Sequence, residues 1–134
     1  MTVCHRLKLS RLYRGVKFNH RSIIMSDHVF VISEWLPKEN CEQACWQQLK
    51  KLMAETLKNE KGCLSARAMR QIAHPGSPGK SKYTIVLQQE YTDIKAFDTH
   101  CASEHVKHFV KKYLENAETA LIEDGTCRLF SEKE

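Results

Sequence analysis

From residue 28 onward, apolar and polar positions follow readable periods. His28-Val29-Phe30-Val31-Ile32-Ser33-Glu34-Trp35 is a short β-branched and aromatic run, which predicts a strand stopped by Pro37. The period then changes. Between Glu39 and Lys58, the residues Cys45, Leu49, Leu52, Met53, Thr56 and Leu57 recur at helical spacing, while Lys50, Lys51, Glu55 and Lys58 cover the other side. Asn40 is the expected N-cap of this helix, and Gly62 ends the unit. Cys63–Ile72 alternates more weakly and predicts a strand with one face partly polar. His74–Lys80 holds two of the three prolines and two of the five glycines, hence a hairpin-type loop before a strand over Lys82–Tyr91. A short helix over Asp93–Thr99, capped by Thr92 or Asp93, comes next. Ser103-Glu104 opens another helix with the stripe Val106, Phe109, Val110, Tyr113 and Leu114. Gly125 breaks it, and Thr126–Phe130 reads as the last strand.

The resulting order, β-α-β-β-α-β, is the ferredoxin-like split arrangement. It predicts an α+β fold with one antiparallel sheet and helices on one face. Apolar residues occur on both faces of the strands, so the uncovered face predicts a homodimer with sheet packed on sheet.

Composition narrows the function classes. The 134 residues suffice for one domain, and 42% hydrophobic with 28% charged residues is globular composition. No apolar run approaches the ~18 residues of a membrane span, so no membrane association is expected. The net charge of +5 is unevenly spread. Residues 1–26 hold six basic residues and no acid, which leaves 15 basic against 16 acidic residues in 27–134, a net charge of −1. A nearly neutral body predicts no nucleic-acid partner. The domain is therefore expected over 27–134, behind a flexible basic N-terminal extension at 1–26. That extension reads first as upstream sequence before an alternative start at Met25, and after that as a transit peptide or a basic arm.

Six cysteines occur without a CxxC spacing, in a chain without a secretory h-region. Reduced, mostly buried thiols and a cytoplasmic location are expected, with no metal site.

The most informative stretch is Glu90-Tyr91-Thr92-Asp93-Ile94-Lys95-Ala96-Phe97-Asp98-Thr99-His100-Cys101-Ala102-Ser103-Glu104-His105-Val106-Lys107-His108-Phe109. Its Glu90-Tyr91 strand end, Ala96-Phe97 pair, His100, Ser103 and His105–Phe109 helix, with Gly62-Cys63-Leu64 upstream, resemble the antibiotic biosynthesis monooxygenase family. The resemblance covers roughly residues 28–131. It implies a dimeric α+β barrel with a pocket between sheet and helices, and an activity that ranges across the family from cofactor-independent oxygenation to haem degradation. The haem-degrading branch is resembled least: its strand Asn and Trp are replaced here by Ser33-Glu34-Trp35 and Gln88-Gln89-Glu90.

The resemblance thus implies a monooxygenase without cofactor, acting on a quinol-like or polycyclic aromatic small molecule. Such a substrate gives its own electron to oxygen once it is deprotonated. The protein must supply a base near working pH and a donor for the anion. His100 and His105 are the expected catalytic bases, and His108 completes a set spanning nine residues. Trp35, Tyr83 and Tyr91 are expected to stack on a flat substrate. Arg67, or Arg70, is expected to bind an enolate, with Glu90 beside Tyr91 at the strand end. The bland alternatives are a structural His100 bonded to a backbone carbonyl, and Glu90-Tyr91 as packing and capping residues. A non-catalytic or stress-related small-molecule-binding barrel is the alternative function, and a haem-binding protein the next.

Overall fold

The computed structural model describes residues 27–134 and the backbone of His5–Arg6. Strand β1 is His5–Arg6, β2 is Val29–Pro37, and helix α1 is Glu42–Asn59. Strands β3, Cys63–Arg70, and β4, Ile85–Tyr91, follow. Helix α2 is Ile94–Ala102, and α3, Glu104–Val110, continues as a π-helical turn over Lys111–Glu115. Strand β5 is Ile122–Ser131. The sheet order is β1-β5-β2-β4-β3. β1 lies parallel to β5, and β2–β5 form an antiparallel four-stranded sheet. The expected ferredoxin-like α+β order therefore stands, with the helical segment after β4 divided in two. The sheet is open within one chain, so no single copy forms a closed barrel. The expected extension at 1–26, with its Met25 start, lies outside the described residues apart from the β1 backbone.

Strand alternation gives the sheet two unlike faces. Val29, Val31, Ser33 and Trp35 of β2, with Ile85, Leu87, Gln89 and Tyr91 of β4, are buried on the helix side. Cys45, Leu49, Leu52, Met53 and Thr56 form the stripe with which α1 closes over them. On the other face, Phe30 pairs with Phe130, Ile32 lies between Gln88 and Arg128, and Met69 pairs with Val86. No helix among the described residues covers that face, and none is long and apolar enough to cross a membrane.

The structure departs from the expected boundaries for local reasons. Asn40 takes a left-handed φ of 62°, so it turns the chain, and Cys41 becomes the N-cap of α1. β4 begins at Ile85 rather than Lys82, because pairing with β2 starts at Trp35–Ile85. Gly125 lies inside β5 and ends no helix. A Cβ there would sit 2.8 Å from the Trp35 ring, so the glycine makes room for that indole. At Gly62 a Cβ would meet Ala96 Cβ at 2.5 Å, which requires glycine where α2 crosses the start of β3.

Candidate active site

Three elements deliver three side chains to one point. Glu60 caps the C-terminal end of α1, its backbone N–H donating to the Thr56 carbonyl at 3.0 Å. Asp93 caps α2 as expected, accepting from the Ala96 N–H at 2.8 Å. That helix turns Phe97 and His100, three residues apart, toward the interior. Ser103 then breaks the helix in two, its Oγ donating to the His100 carbonyl at 2.6 Å, and His105 enters from the first turn of α3.

The Glu60 carboxylate takes both imidazoles. Its Oε2 lies 2.8 Å from His100 Nδ1 and 2.7 Å from His105 Nε2, and its Oε1 lies 3.1 Å from His100 Nδ1. The Glu60 and His100 side chains are each only 8% exposed. An ionised carboxylate can only accept, so both ring nitrogens donate, and His100 holds its proton on Nδ1. His100 Nε2 is then the lone-pair nitrogen. Among the described residues no side-chain nitrogen or oxygen is both buried and without a partner, and Nε2 has no protein partner, so it opens to the cavity that His100 lines. Burial pulls the His100 ring below its ordinary pKa of 6.5; Glu60 works in the opposite sense and His105 adds to the lowering. Phe97 stacks on the same ring at 6.0 Å, and Tyr91 leans on it at 5.4 Å.

The cavity has a volume of about 1120 Å³ between the sheet and α2–α3. Apolar walls come from Val31, Trp35, Leu87, Phe97, Phe109 and Leu129. Besides His100, two buried polar side chains, Ser33 and Gln89, interrupt them. Trp35 Nε1–H donates to Ser33 Oγ at 2.9 Å, and the Tyr91 hydroxyl donates to Gln89 Oε1. Asp98, Glu115, Glu123 and Asp124 stand against Lys107 and Lys111 among the charged lining residues, a mouth with a slight acidic excess.

The residues expected from sequence separate accordingly. His100 and Trp35 line the cavity; His105 stands behind His100 on the shared carboxylate. The expected structural role for His100, bonding a backbone carbonyl, is replaced by the bond to Glu60. Four of the expected substrate contacts lie away from the cavity. Tyr91 is fully buried beneath it, its phenol pushed up by burial from an ordinary pKa of 10. Glu90 points to the helix-free face, where it pairs with His28 at 2.6 Å. Arg67 is exposed on that same face, opposite Gln88. Tyr83 precedes β4 and donates its hydroxyl to Asp124 at 2.6 Å, which holds its proton and raises its pKa. Arg70 lies over the Trp46 ring at 4.5 Å, and His108 is exposed. Glu60, Ser33 and Gln89 were not legible as site residues. Glu60 follows the helical stripe without belonging to it, and only its place before Gly62 marks it.

Glu60, His100 and His105 also offer one ligand atom each within 4.8 Å, a set that a divalent metal ion would accept. As it stands, Oε2 accepts directly from both rings at hydrogen-bond lengths.

The model of the antibiotic biosynthesis monooxygenase family matches residues 27–112, and the chain belongs to that family. No curated protein matches the sequence. Among solved structures, a Shewanella oneidensis protein is similar with a TM-score of 0.62 at 21% identity, over 80% of this chain and 92% of that one. A Pseudomonas aeruginosa protein has a TM-score of 0.62 at 19% identity, over 83% and 99%. A dimeric Bacteroides fragilis protein of ferredoxin-like fold has a TM-score of 0.63 at 11% identity, over 81% and 99%. These likenesses concern the fold.

Proposed function

We propose that the protein is a cofactor-independent monooxygenase for an uncharged quinol-like or polycyclic aromatic molecule, with His100 as the base. The observation that carries this reading is the His100 ring, held by Glu60 on Nδ1 and lining an apolar cavity, with no protein partner on Nε2 among the described residues. Burial keeps that nitrogen unprotonated near neutral pH. His105 acts through Glu60 as a positioning residue, and Trp35 supplies a flat wall. A site without a buried base would favour a binding domain without turnover; His100 is 6% exposed.

For an anthrone-like substrate, His100 Nε2 takes a proton from the carbon or hydroxyl being activated. The anion gives an electron to O2, and the radical pair combines to a hydroperoxide. Loss of water then leaves the carbonyl. One oxygen atom enters the product, and the other leaves as water with the two hydrogens lost from carbon. The slightly acidic mouth disfavours anionic ligands and suits a neutral one.

The same reading includes a homodimer. Phe30, Ile32, Met69, Val86 and Phe130 share the helix-free face, and a similar fold from Bacteroides fragilis is described as dimeric. It also includes a cytoplasmic location, since buried Cys45, its thiol pushed up to about 12 by burial, and Cys63 stay as thiols. The test is oxygen uptake with a panel of anthrones and quinols. Uptake with at least one, yielding the quinone without hydrogen peroxide, is expected; no uptake with any would sink the assignment.

A further inference from the structure

Among the described residues Gln89 is the one side-chain amide that lines the apolar cavity, and its orientation is fixed. The side chain is only 4% exposed. Its Oε1 accepts the hydroxyl proton of Tyr91, itself fully buried, so the carbonyl end is anchored away from the cavity. The amide nitrogen has two protons and no partner among the described residues. It is not sealed in protein either, because no buried side-chain nitrogen or oxygen there lacks a partner. Its donors therefore open into the cavity that Gln89 lines.

A second donor lies on the same sheet face. Ser33 is 3% exposed, and its Oγ is occupied as acceptor by the Trp35 indole N–H. What remains to it is a hydroxyl proton to give and one lone pair. In the β2–β4 register Ser33 pairs with Leu87 and Gln89 with Val31, so Ser33 and Gln89 are diagonal neighbours, roughly 7–8 Å apart. Around them the walls are Val31, Leu87 and Leu129. Once a ligand fills the cavity and displaces water, donors in such surroundings are costly unless the ligand accepts from them.

We infer that Gln89 and Ser33 form a donor pair for a carbonyl or phenolate oxygen, so that the cavity selects planar aromatic ketones and phenols over hydrocarbons of the same shape. Tyr91 is a positioning residue for this pair: it holds the amide so that nitrogen, not oxygen, meets the ligand. This rests on the cavity being the small-molecule site of the proposed function. In that function the pair would hold the oxygen on which negative charge gathers when His100 removes the proton.

The probes are 9-fluorenone and fluorene, a ketone and its deoxygenated counterpart, neither of which needs to turn over. Equilibrium dialysis gives the dissociation constant of each for the full chain. The double variant Gln89→Met/Tyr91→Phe, in which no buried hydroxyl is orphaned, is measured against the wild type. Gln89→Asn, which withdraws the amide by one methylene, is the second variant should the double one not fold. The expected result is that the wild type prefers fluorenone, and that loss of the amide weakens fluorenone about three- to tenfold while fluorene is unchanged. Equal weakening of both ligands, or no change in either, would overturn the donor pair and leave the proposed function standing. Failure of the wild type to bind either probe would overturn both.

Discussion

Glu60 Oε2 lies 2.8 Å from His100 Nδ1, and that contact decides which His100 nitrogen can act on a ligand. The carboxylate arrives from the end of α1 and the imidazole from α2, so their meeting depends on how the helices sit on the sheet. Glu60→Gln is expected to reduce turnover about 10- to 100-fold with little change in KM, since a neutral amide no longer enforces the Nδ1–H tautomer. The His100 pKa should move further down, because Glu60 raises it. A pH titration of the ring by NMR checks the direction, and an upward movement would count against the charge coupling.

The same contact holds the fold. Glu60→Ala leaves the two imidazole N–H groups without their carboxylate, one of them on a ring that is 8% exposed. A loss of about 2–4 kcal/mol in unfolding free energy is expected by denaturant titration. A loss under 0.5 kcal/mol would mean that the rings find other acceptors.

Stability and activity should share a pH dependence. The folded-state pKa of His100 lies below its ordinary 6.5, so the unfolded chain binds the proton more readily. Its contribution to stability is complete above 6.5 and is lost as pH falls through the lower folded value. Melting temperatures should therefore drop below pH 6.5 in the wild type, and less steeply in His100→Gln. The acid limb of the rate profile should also lie below 6.5, where the base becomes protonated.

Much of the fold is legible in sequence because strand and helix periods differ plainly along the chain. The β-branched run marks β2, and the α1 stripe predicts its buried residues except Leu57, which is 47% exposed. The site is less legible because it depends on tertiary placement. His100 carries a motif position, but Glu60 lies 40 residues earlier, and only the helix–sheet packing joins them. Glu90 and Tyr91 illustrate the same limit. Adjacent strand residues face opposite ways, so one goes to the helix-free face and the other beneath the cavity. Gly125 looks like a helix stop until Trp35 is seen to need its space.

Close approach at Gly62 makes a separate prediction. Gly62→Ala should cost about 1–3 kcal/mol, since its Cβ would collide with Ala96 Cβ at 2.5 Å. Ala96→Gly in the same chain should recover much of that loss. Independent, additive effects in the double-mutant cycle would contradict the contact.

The helix-free face is tested by charge. Ile32→Asp puts a carboxylate on the proposed dimer face, between Gln88 and Arg128 and diagonal to Val86 and Phe130, and sedimentation should show conversion of dimer to monomer. A wild type that sediments as a monomer would contradict the dimer.

The most direct test of the central claim is oxygen consumption at pH 7 with the best anthrone or quinol, comparing wild type with His100→Gln. With His100 as the base, the variant should fold, bind substrate with similar affinity, and lose about 10²- to 10⁴-fold in rate. Equal oxygen uptake by the two proteins would contradict it.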